Sequence, residues 1–152
     1  MLMTFQRFVG QHPALIPVIK LVILWLVVSA IVSYMSGWFA LSELYRTRAP
    51  FDGAKWRWQS AHMRWLTHYN NVLTLGATQE SLYLAVMPLF RFMHPQLLVP
   101  WSEIRVRRSK GWFFEYVTFT MGRELAVPLR IRAKQAGRLR DVAGSRCPPE
   151  ET

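Results

Sequence analysis

The sequence has a single cysteine, Cys147, among its 152 residues. One thiol can form neither an internal disulfide nor a zinc site made of cysteines alone. We interpret it as a spare thiol in a flexible C-terminal tail, residues 145–152. The absence of disulfides is compatible with a reducing compartment.

Histidine is scarce as well, and the four histidines are widely separated: His12, His62, His68 and His94. No pair has the spacing of zinc ligands and no His-Glu-x-x-His motif occurs, so we predict no metal site. The chain also lacks a Gly-x-Ser-x-Gly elbow and a glycine-rich phosphate loop. We therefore expect a protein that is not an enzyme and uses no cofactor. A catalytic site assembled only by folding is the alternative.

Acidic residues are few, because 9 Asp and Glu stand against 19 Lys and Arg, which gives a net charge of +10. Such an excess predicts a negatively charged neighbour. Nucleic acid is one candidate, but no zinc-finger spacing, helix-turn-helix pattern or aromatic RNA-binding strand signature is present. We therefore predict no nucleic-acid partner, and we favour anionic lipid head groups.

One long stretch carries no charge at all, from Leu21 to Ser42. As a helix with a rise of about 1.5 Å per residue, this stretch is about 33 Å long, and a bilayer hydrocarbon core is about 30 Å thick. Pro13 and Pro17 suit the first helical turn. We predict a transmembrane helix over residues 14–42, preceded by an interfacial segment over residues 1–13.

A secretory signal peptide is the alternative interpretation of this stretch. Its apolar core is usually about 7 to 15 residues long and precedes a small-x-small cleavage site. Here the run is longer, and Trp38 and Phe39 occupy its end. We therefore predict an uncleaved membrane anchor that includes Lys20, Trp25, Trp38, Phe39 and Tyr45. Within it, Trp38 and Tyr45 are placed like interfacial residues, and Lys20 is close enough to the other end to reach the interface.

The remainder of the chain is typical of a β-rich domain with α+β character. Residues 43–53 are predicted to be an interfacial elbow and linker, and residues 54–144 the folded domain. Alternating apolar residues predict about six to seven antiparallel strands, including a hairpin formed by residues 72–77 and 82–86. Asn70-Asn71 and the stretch from Arg105 to Gly111 are predicted as turns, and Trp112 to Met121 as the strongest strand. Residues 133–144 have helical periodicity and predict a closing C-terminal helix.

A strand-rich body followed by one helix is similar to the pleckstrin-homology-like (PH-like) β-barrel, including its bacterial and GRAM variants. Leu73 to Val106 also resembles a bacterial family of small membrane-anchored proteins of unknown function. The matching positions are Gly37, Trp38, Tyr45 and Arg46 in the anchor, Leu82, Tyr83 and Leu84 in the hairpin, and then Phe90, Arg91, His94, Pro95, Leu98, Pro100, Trp101, Glu103 and Ile104. The chain departs from the family pattern at Ser81, Gln96 and Val99. The resemblance implies the PH-like fold and a bacterial protein.

Two sets of domain residues are candidates for binding. The first is a basic patch, which would contact anionic lipid or a protein partner if it is not merely a solvated turn: Arg91, Arg105, Arg107, Arg108 and Lys110. The second is a ledge, for which a loop-capping histidine and a core tryptophan are the structural alternatives: His94, Pro100 and Trp101.

Positive charge is denser after the predicted span than before it, so the positive-inside rule places the C-terminal domain in the cytoplasm. We therefore expect a single-pass protein of the bacterial inner membrane that acts as a binding or scaffolding module, with membrane lipids and other membrane-protein subunits as partners. The alternative is an accessory subunit that stabilises a larger respiratory, transport or photosynthetic complex. This alternative depends on three aromatic residues and on small residues that would let another helix approach, namely Trp25, Trp38, Phe39, Ser29, Ala30, Ser33 and Ser36.

Overall fold

The computed structural model describes residues 13–64 and 67–151, so the predicted interfacial segment lies outside the described residues except for Pro13. The first element is helix α1, Leu15–Ser36, which is long and apolar enough to cross a membrane, with a mean hydropathy of 2.7. Most of its large side chains, including Leu21, Leu24 and Ile31, are exposed. An N-terminal apolar helix of spanning length is confirmed.

Helix α1 ends earlier than the predicted residue 42, because Gly37 adopts the left-handed conformation with φ 80°. The Gly37 N–H donates to the Tyr34 carbonyl at 3.2 Å. A second helix, α2, Trp38–Tyr45, starts immediately in a new direction. The predicted single helix over residues 14–42 was therefore wrong at its C-terminal end, and α2 also occupies the start of the predicted linker.

The chain after α2 forms one curled mixed sheet, a half-barrel. The order of its strands in the described residues is β4-β3-β2-β1-β7-β6-β5-β8. Neighbouring strands are antiparallel except β5 and β8, which are parallel. The strands are β1 Ala54–Met63, β2 Thr67–Ala77, β3 Ser81–Val86, β4 Leu97–Pro100, β5 Ile104–Lys110, β6 Glu115–Met121, β7 Val127–Arg132 and β8 Glu150–Glu151.

The hairpin of β2 and β3 and the C-terminal helix α3, Ala133–Ala143, follow the predicted pattern. Both predicted turns were wrong. Asn70 and Asn71 lie inside β2, where Asn71 has a positive φ of 51° opposite an irregularity in β1. The arginine-rich stretch forms β5, because its apolar residues Ile104 and Val106 are buried in the sheet while the cations face outward.

Both α2 and α3 complete the core of the half-barrel. Helix α2 packs beside β4 and buries Trp38 and Leu41 completely, whereas α3 packs across β2, β6 and β7 through Ala136 and Leu139. The core is therefore made in part by the residues that immediately follow α1.

The last residues do not form the flexible tail that we expected. Cys147 is 8% exposed and packs against the core, and β8 pairs with Val106 and Arg107 of β5. Glu150 accepts hydrogen bonds from Arg108, and it forms an ion pair with Arg140 at 2.8 Å. These interactions between residues far apart in sequence attach the C-terminus to the sheet.

We predict that replacing Gly37 by Ala destabilises the protein. The left-handed conformation costs a residue with a Cβ about 1 to 2 kcal/mol. The added Cβ would also lie 2.9 Å from Arg64 Nε and 3.0 Å from Val127 Cγ2. Thermal unfolding of the full-length protein in detergent should show a lower Tm for Gly37→Ala.

The matched control is Gly137→Ala, because Gly137 lies within α3 and a Cβ there meets no atom within 4 Å. This change should raise stability by about 0.5 to 1 kcal/mol through helix propensity. Equal Tm values for the two variants would contradict the role assigned to Gly37.

Candidate functional site

One face of α1 is attached to the domain through small polar residues. Ser29, Ser33 and Ser36 lie on this face and are at most 5% exposed. Their small side chains let the backbone approach the sheet and the loop Pro88–His94 closely. The Ser33 hydroxyl donates to the Met93 carbonyl at 2.7 Å. Three of the four small residues predicted to receive a helix from another protein, Ser29, Ser33 and Ser36, therefore pack against the chain's own domain.

A chain of buried hydrogen bonds continues from the end of α1 into the sheet. Ser36 donates to the Ser33 carbonyl and accepts from the Tyr69 hydroxyl at 3.1 Å. Tyr69 in turn lies 3.1 Å from His94 Nε2. The hydroxyl and this ring nitrogen are within hydrogen-bond distance, so the contact links β2 to the loop Pro88–His94. We call Ser33, Ser36, Trp38, Tyr69 and His94 the polar seam.

Trp38 closes the polar seam from the α2 side. Its indole N–H donates to the Pro95 carbonyl at 2.9 Å. Its ring meets the His94 ring edge-on, with the ring centroids 5.4 Å apart. Trp38, which was predicted to lie at the membrane interface, is thus a completely buried residue that fixes the start of α2.

His94 is neutral in this arrangement. Burial lowers its pKa and outweighs the opposing effect of a hydrogen bond with the Phe90 backbone. Burial likewise raises the pKa of Tyr69 to about 12, which keeps its hydroxyl protonated. The polar seam is therefore uncharged at neutral pH, as a low-dielectric environment requires.

The far end of α2 is attached by a second polar contact. The Tyr45 hydroxyl donates to a Glu103 carboxylate oxygen, and burial followed by this carboxylate raises the Tyr45 pKa to about 12. The Glu103 carbonyl accepts from the Gly122 N–H at 3.0 Å. Tyr45, another predicted interfacial anchor, instead connects α2 with the start of β5.

A concave surface of about 500 Å³ lies on the outer side of β1 and beside the loop Pro88–His94. Lys55, Arg57 and Arg91 line it, and none of these cations forms an ion pair among the described residues, although Asp52 also lies in this lining. We call this surface the basic groove. Its size lies within the range of about 300 to 1,000 Å³ typical of ligand sites.

Aromatic residues form one wall of the basic groove. Phe51 stacks on Tyr83 with the ring centroids 4.2 Å apart, and the Lys55 ammonium lies 5.5 Å from the Phe51 ring centroid. Trp58 is 62% exposed and also lines the groove. The surface thus combines cations with aromatic rings. This combination suits a ligand that has an anionic group attached to an apolar part.

The structure divides the predicted basic patch. Arg91 lies in the basic groove, whereas Arg105, Arg107 and Lys110 are exposed on β5, which β7 and β6 separate from β1. Arg108 forms ion pairs with Glu115 and Glu150. The five predicted cations therefore do not form one surface.

The predicted ledge is not a shared surface either. His94 is 2% exposed in the polar seam, and Trp101 is 2% exposed in the core, where its indole N–H donates to the Thr78 carbonyl at 3.0 Å. Pro100 ends β4 opposite Ser81. The other predicted anchors lie along the helices, with Lys20 and Phe39 exposed and Trp25 half-buried against Phe90.

Sequence reasoning missed Lys55, Arg57 and Trp58 as groove residues. Strict alternation places Trp58 on the same face as Trp56, but Trp58 has a φ of 59° and the register of β1 shifts between Trp56 and Gln59. This bulge turns Trp58 outward beside the cations. Lys55 and Arg57 are two positions apart, which places them on the same face of a strand. This spacing was visible in the sequence.

Comparison of the chain with protein-family models, with curated proteins and with solved structures finds no match. The resemblance to a bacterial membrane-anchored family therefore stays a prediction. The positions that carry it do contact one another, since Trp38 binds the Pro95 carbonyl and Tyr45 binds Glu103.

We predict that the protein loses stability when the pH falls below about 6.5, the ordinary pKa of histidine. The pKa of His94 is lower in the folded state than in the unfolded state, so between the two values only the unfolded chain binds the proton. Tm should therefore stay constant above pH 7 and decrease from pH 6.5 downward, until the pH reaches the folded pKa.

The pKa of His62 is also lowered, by partial burial of its ring and by the charges of His68 and Arg130. Since His62 lies at the surface, His62→Gln is the matched control. The decrease in Tm should persist in His62→Gln and become smaller in His94→Gln. A pH profile of Tm unchanged by His94→Gln would contradict a neutral, buried His94.

Proposed function

We propose that this protein is a non-catalytic, membrane-tethered binding module whose PH-like domain contacts anionic lipid head groups through the basic groove. One observation carries the proposal: three cations that form no ion pair with any described residue line a single concavity beside the loop that packs against α1. A bilayer crossed by α1 would bring its head groups close to this concavity. Cations near an anionic leaflet each gain about 1 kcal/mol.

An uncleaved anchor is part of this proposal. Trp38 and Leu41, directly after α1, are completely buried in the domain core, and Ser36 bonds to Tyr69. Cleavage near the end of α1 would break the polar seam and open the core. The excess of cations on the C-terminal side supports a cytoplasmic domain. We propose that α1 lies in a bacterial inner membrane.

We predict that anionic lipid protects the basic groove in the full-length protein. Full-length protein is needed because α2 contributes to the core. Hydrogen exchange, measured in nanodiscs of phosphatidylcholine with or without phosphatidylglycerol, should slow in residues 54–60 only when phosphatidylglycerol is present. The triple variant Lys55→Gln, Arg57→Gln, Arg91→Gln should lose this difference, and added salt should weaken it.

The matched control removes the same charge from the other half of the sheet: Arg105→Gln, Arg107→Gln and Lys110→Gln. These exposed side chains lie on β5 and do not line the groove. If the slowing of exchange by phosphatidylglycerol persists in the groove variant and is absent in the β5 variant, the lipid contact lies on β5 and not in the groove. Exchange that is identical in both lipid compositions would reject the lipid proposal.

A second function, an accessory subunit of a larger membrane complex, is favoured by one different surface. Trp112, Phe113 and Phe114 follow β5 and are 93%, 82% and 52% exposed. Adjacent exposed aromatic side chains are typical of protein interfaces.

We predict from this second function that the protein extracted in mild detergent migrates as part of a larger assembly. Changing Trp112 and Phe113 to Ser should release it, whereas changing the exposed Leu44 to Ser should not. Mass measurement after native electrophoresis checks the outcome. A single monomeric species of the unchanged protein would exclude a stable assembly.

A further inference from the structure

The contacts of α1 leave little of its length free of the domain. The Trp25 ring lies 6.0 Å from the Phe90 ring between centroids, and Ser33 bonds to Met93, so the loop Pro88–His94 runs beside the second half of the helix. Trp25 to Ser36 spans about 18 Å at about 1.5 Å per residue. The preceding part, Leu15 to Leu24, is about 15 Å long and covers only half of a hydrocarbon core of about 30 Å.

The loop beside α1 has an apolar surface that faces away from the domain. Leu89 is 63% exposed and Phe92 is 76% exposed. Both side chains are therefore left unpacked by the described residues, whereas nearly all residues of the preceding strand β3 are buried. The exposed surface of this loop lies next to the exposed surface of α1, and the surface of α1 is also apolar.

An apolar concavity of about 530 Å³ joins the two surfaces. It lies between α1, α2 and the loop, and it is lined in part by Ile31, Tyr34, Met35, Phe39 and Phe92. The uncovered surface of α1 thus continues across this concavity to Phe92, and the lining also includes one charged residue, Arg46.

Part of the loop backbone is paired within the protein, which lowers the cost of placing it in hydrocarbon. The N–H groups of Phe90, Arg91 and His94 donate to the carbonyls of Met87, Pro88 and Arg91. The Met93 and Pro95 carbonyls accept from Ser33 and Trp38, and proline at positions 88 and 95 has no N–H to satisfy.

We infer that the Pro88–His94 loop is immersed in the acyl chains of the leaflet that α1 enters on the domain side, with Leu89 and Phe92 in contact with lipid. This inference rests on the proposed membrane insertion of α1. The domain is then partly embedded in the bilayer and not held above it by a linker. Arg91, whose side chain lines the basic groove, marks the level of the head groups.

The test uses full-length protein with Cys147→Ala, so that one introduced cysteine carries a nitroxide spin label. Labels are placed at Leu89→Cys and Phe92→Cys, two exposed positions, in vesicles of phosphatidylcholine and phosphatidylglycerol. Val27→Cys on the exposed face of α1 reports lipid, and Gln79→Cys in the turn between β2 and β3 reports water. Collisions with oxygen and with a water-soluble nickel chelate are measured by electron paramagnetic resonance.

We expect the labels at residues 89 and 92 to behave like the label at residue 27, with several-fold more relaxation by oxygen than by the nickel chelate, while residue 79 shows the reverse. Labels at 89 and 92 that match residue 79, with residue 27 still in lipid, would overturn the immersed loop and leave membrane insertion of α1 intact. A label at residue 27 that is open to the nickel chelate would overturn both the inference and the membrane anchor.

Discussion

The polar seam is the constraint on which the arrangement of this protein depends. Ser36, Tyr69 and His94 form consecutive hydrogen bonds at the end of α1, and Trp38 covers them. These groups are buried, so leaving any of them without a partner costs about 1 to 3 kcal/mol. The seam therefore favours one position of α1 relative to the sheet. Gly37 then turns the chain so that α2 can complete the core.

This constraint changes what the apolar helix does. A helix joined by a loose linker would bring the domain to a membrane without orienting it. Here the last residues of α1 belong to the packing of the domain, so the orientation of α1 also sets the direction of the basic groove and of the exposed loop residues Leu89 and Phe92. The proposed contact with head groups then needs no further ordering of the domain, which lowers the entropic cost of binding.

Local patterns in the sequence predicted much of the fold. The uncharged run, the hairpin formed by β2 and β3 and the periodicity of α3 are recorded by neighbouring residues, so α1 as an apolar helix, the strand-rich body and the closing helix were predicted. The break at Gly37 was not predicted, because the need for a left-handed glycine follows from the packing of α2 against the sheet. The C-terminal residues looked loose because Arg108 and Arg140, the partners of Glu150, are distant in sequence or lie on another element.

Residues of the candidate site were harder to predict. Arg91 was chosen for its charge, but its neighbours Lys55 and Arg57 come from a strand more than thirty positions away, and the bulge at Trp58 breaks the alternation that would have placed that ring. For His94, the sequence left both a ligand contact and a loop-capping role open, because its burial depends on Trp38 and Tyr69. Sequence spacing records none of these contacts.

The central claim, that α1 and the domain form one rigid unit, is tested most directly by the distance between them. Spin labels at Ile23→Cys and Gln79→Cys, in full-length protein with Cys147→Ala, report this distance by double electron–electron resonance in bilayers. The polar seam predicts one narrow distance distribution, which broadens when Tyr69 is changed to Ala. A broad distribution in the protein with Tyr69 intact would show that α1 is only a flexible tether and would contradict the account.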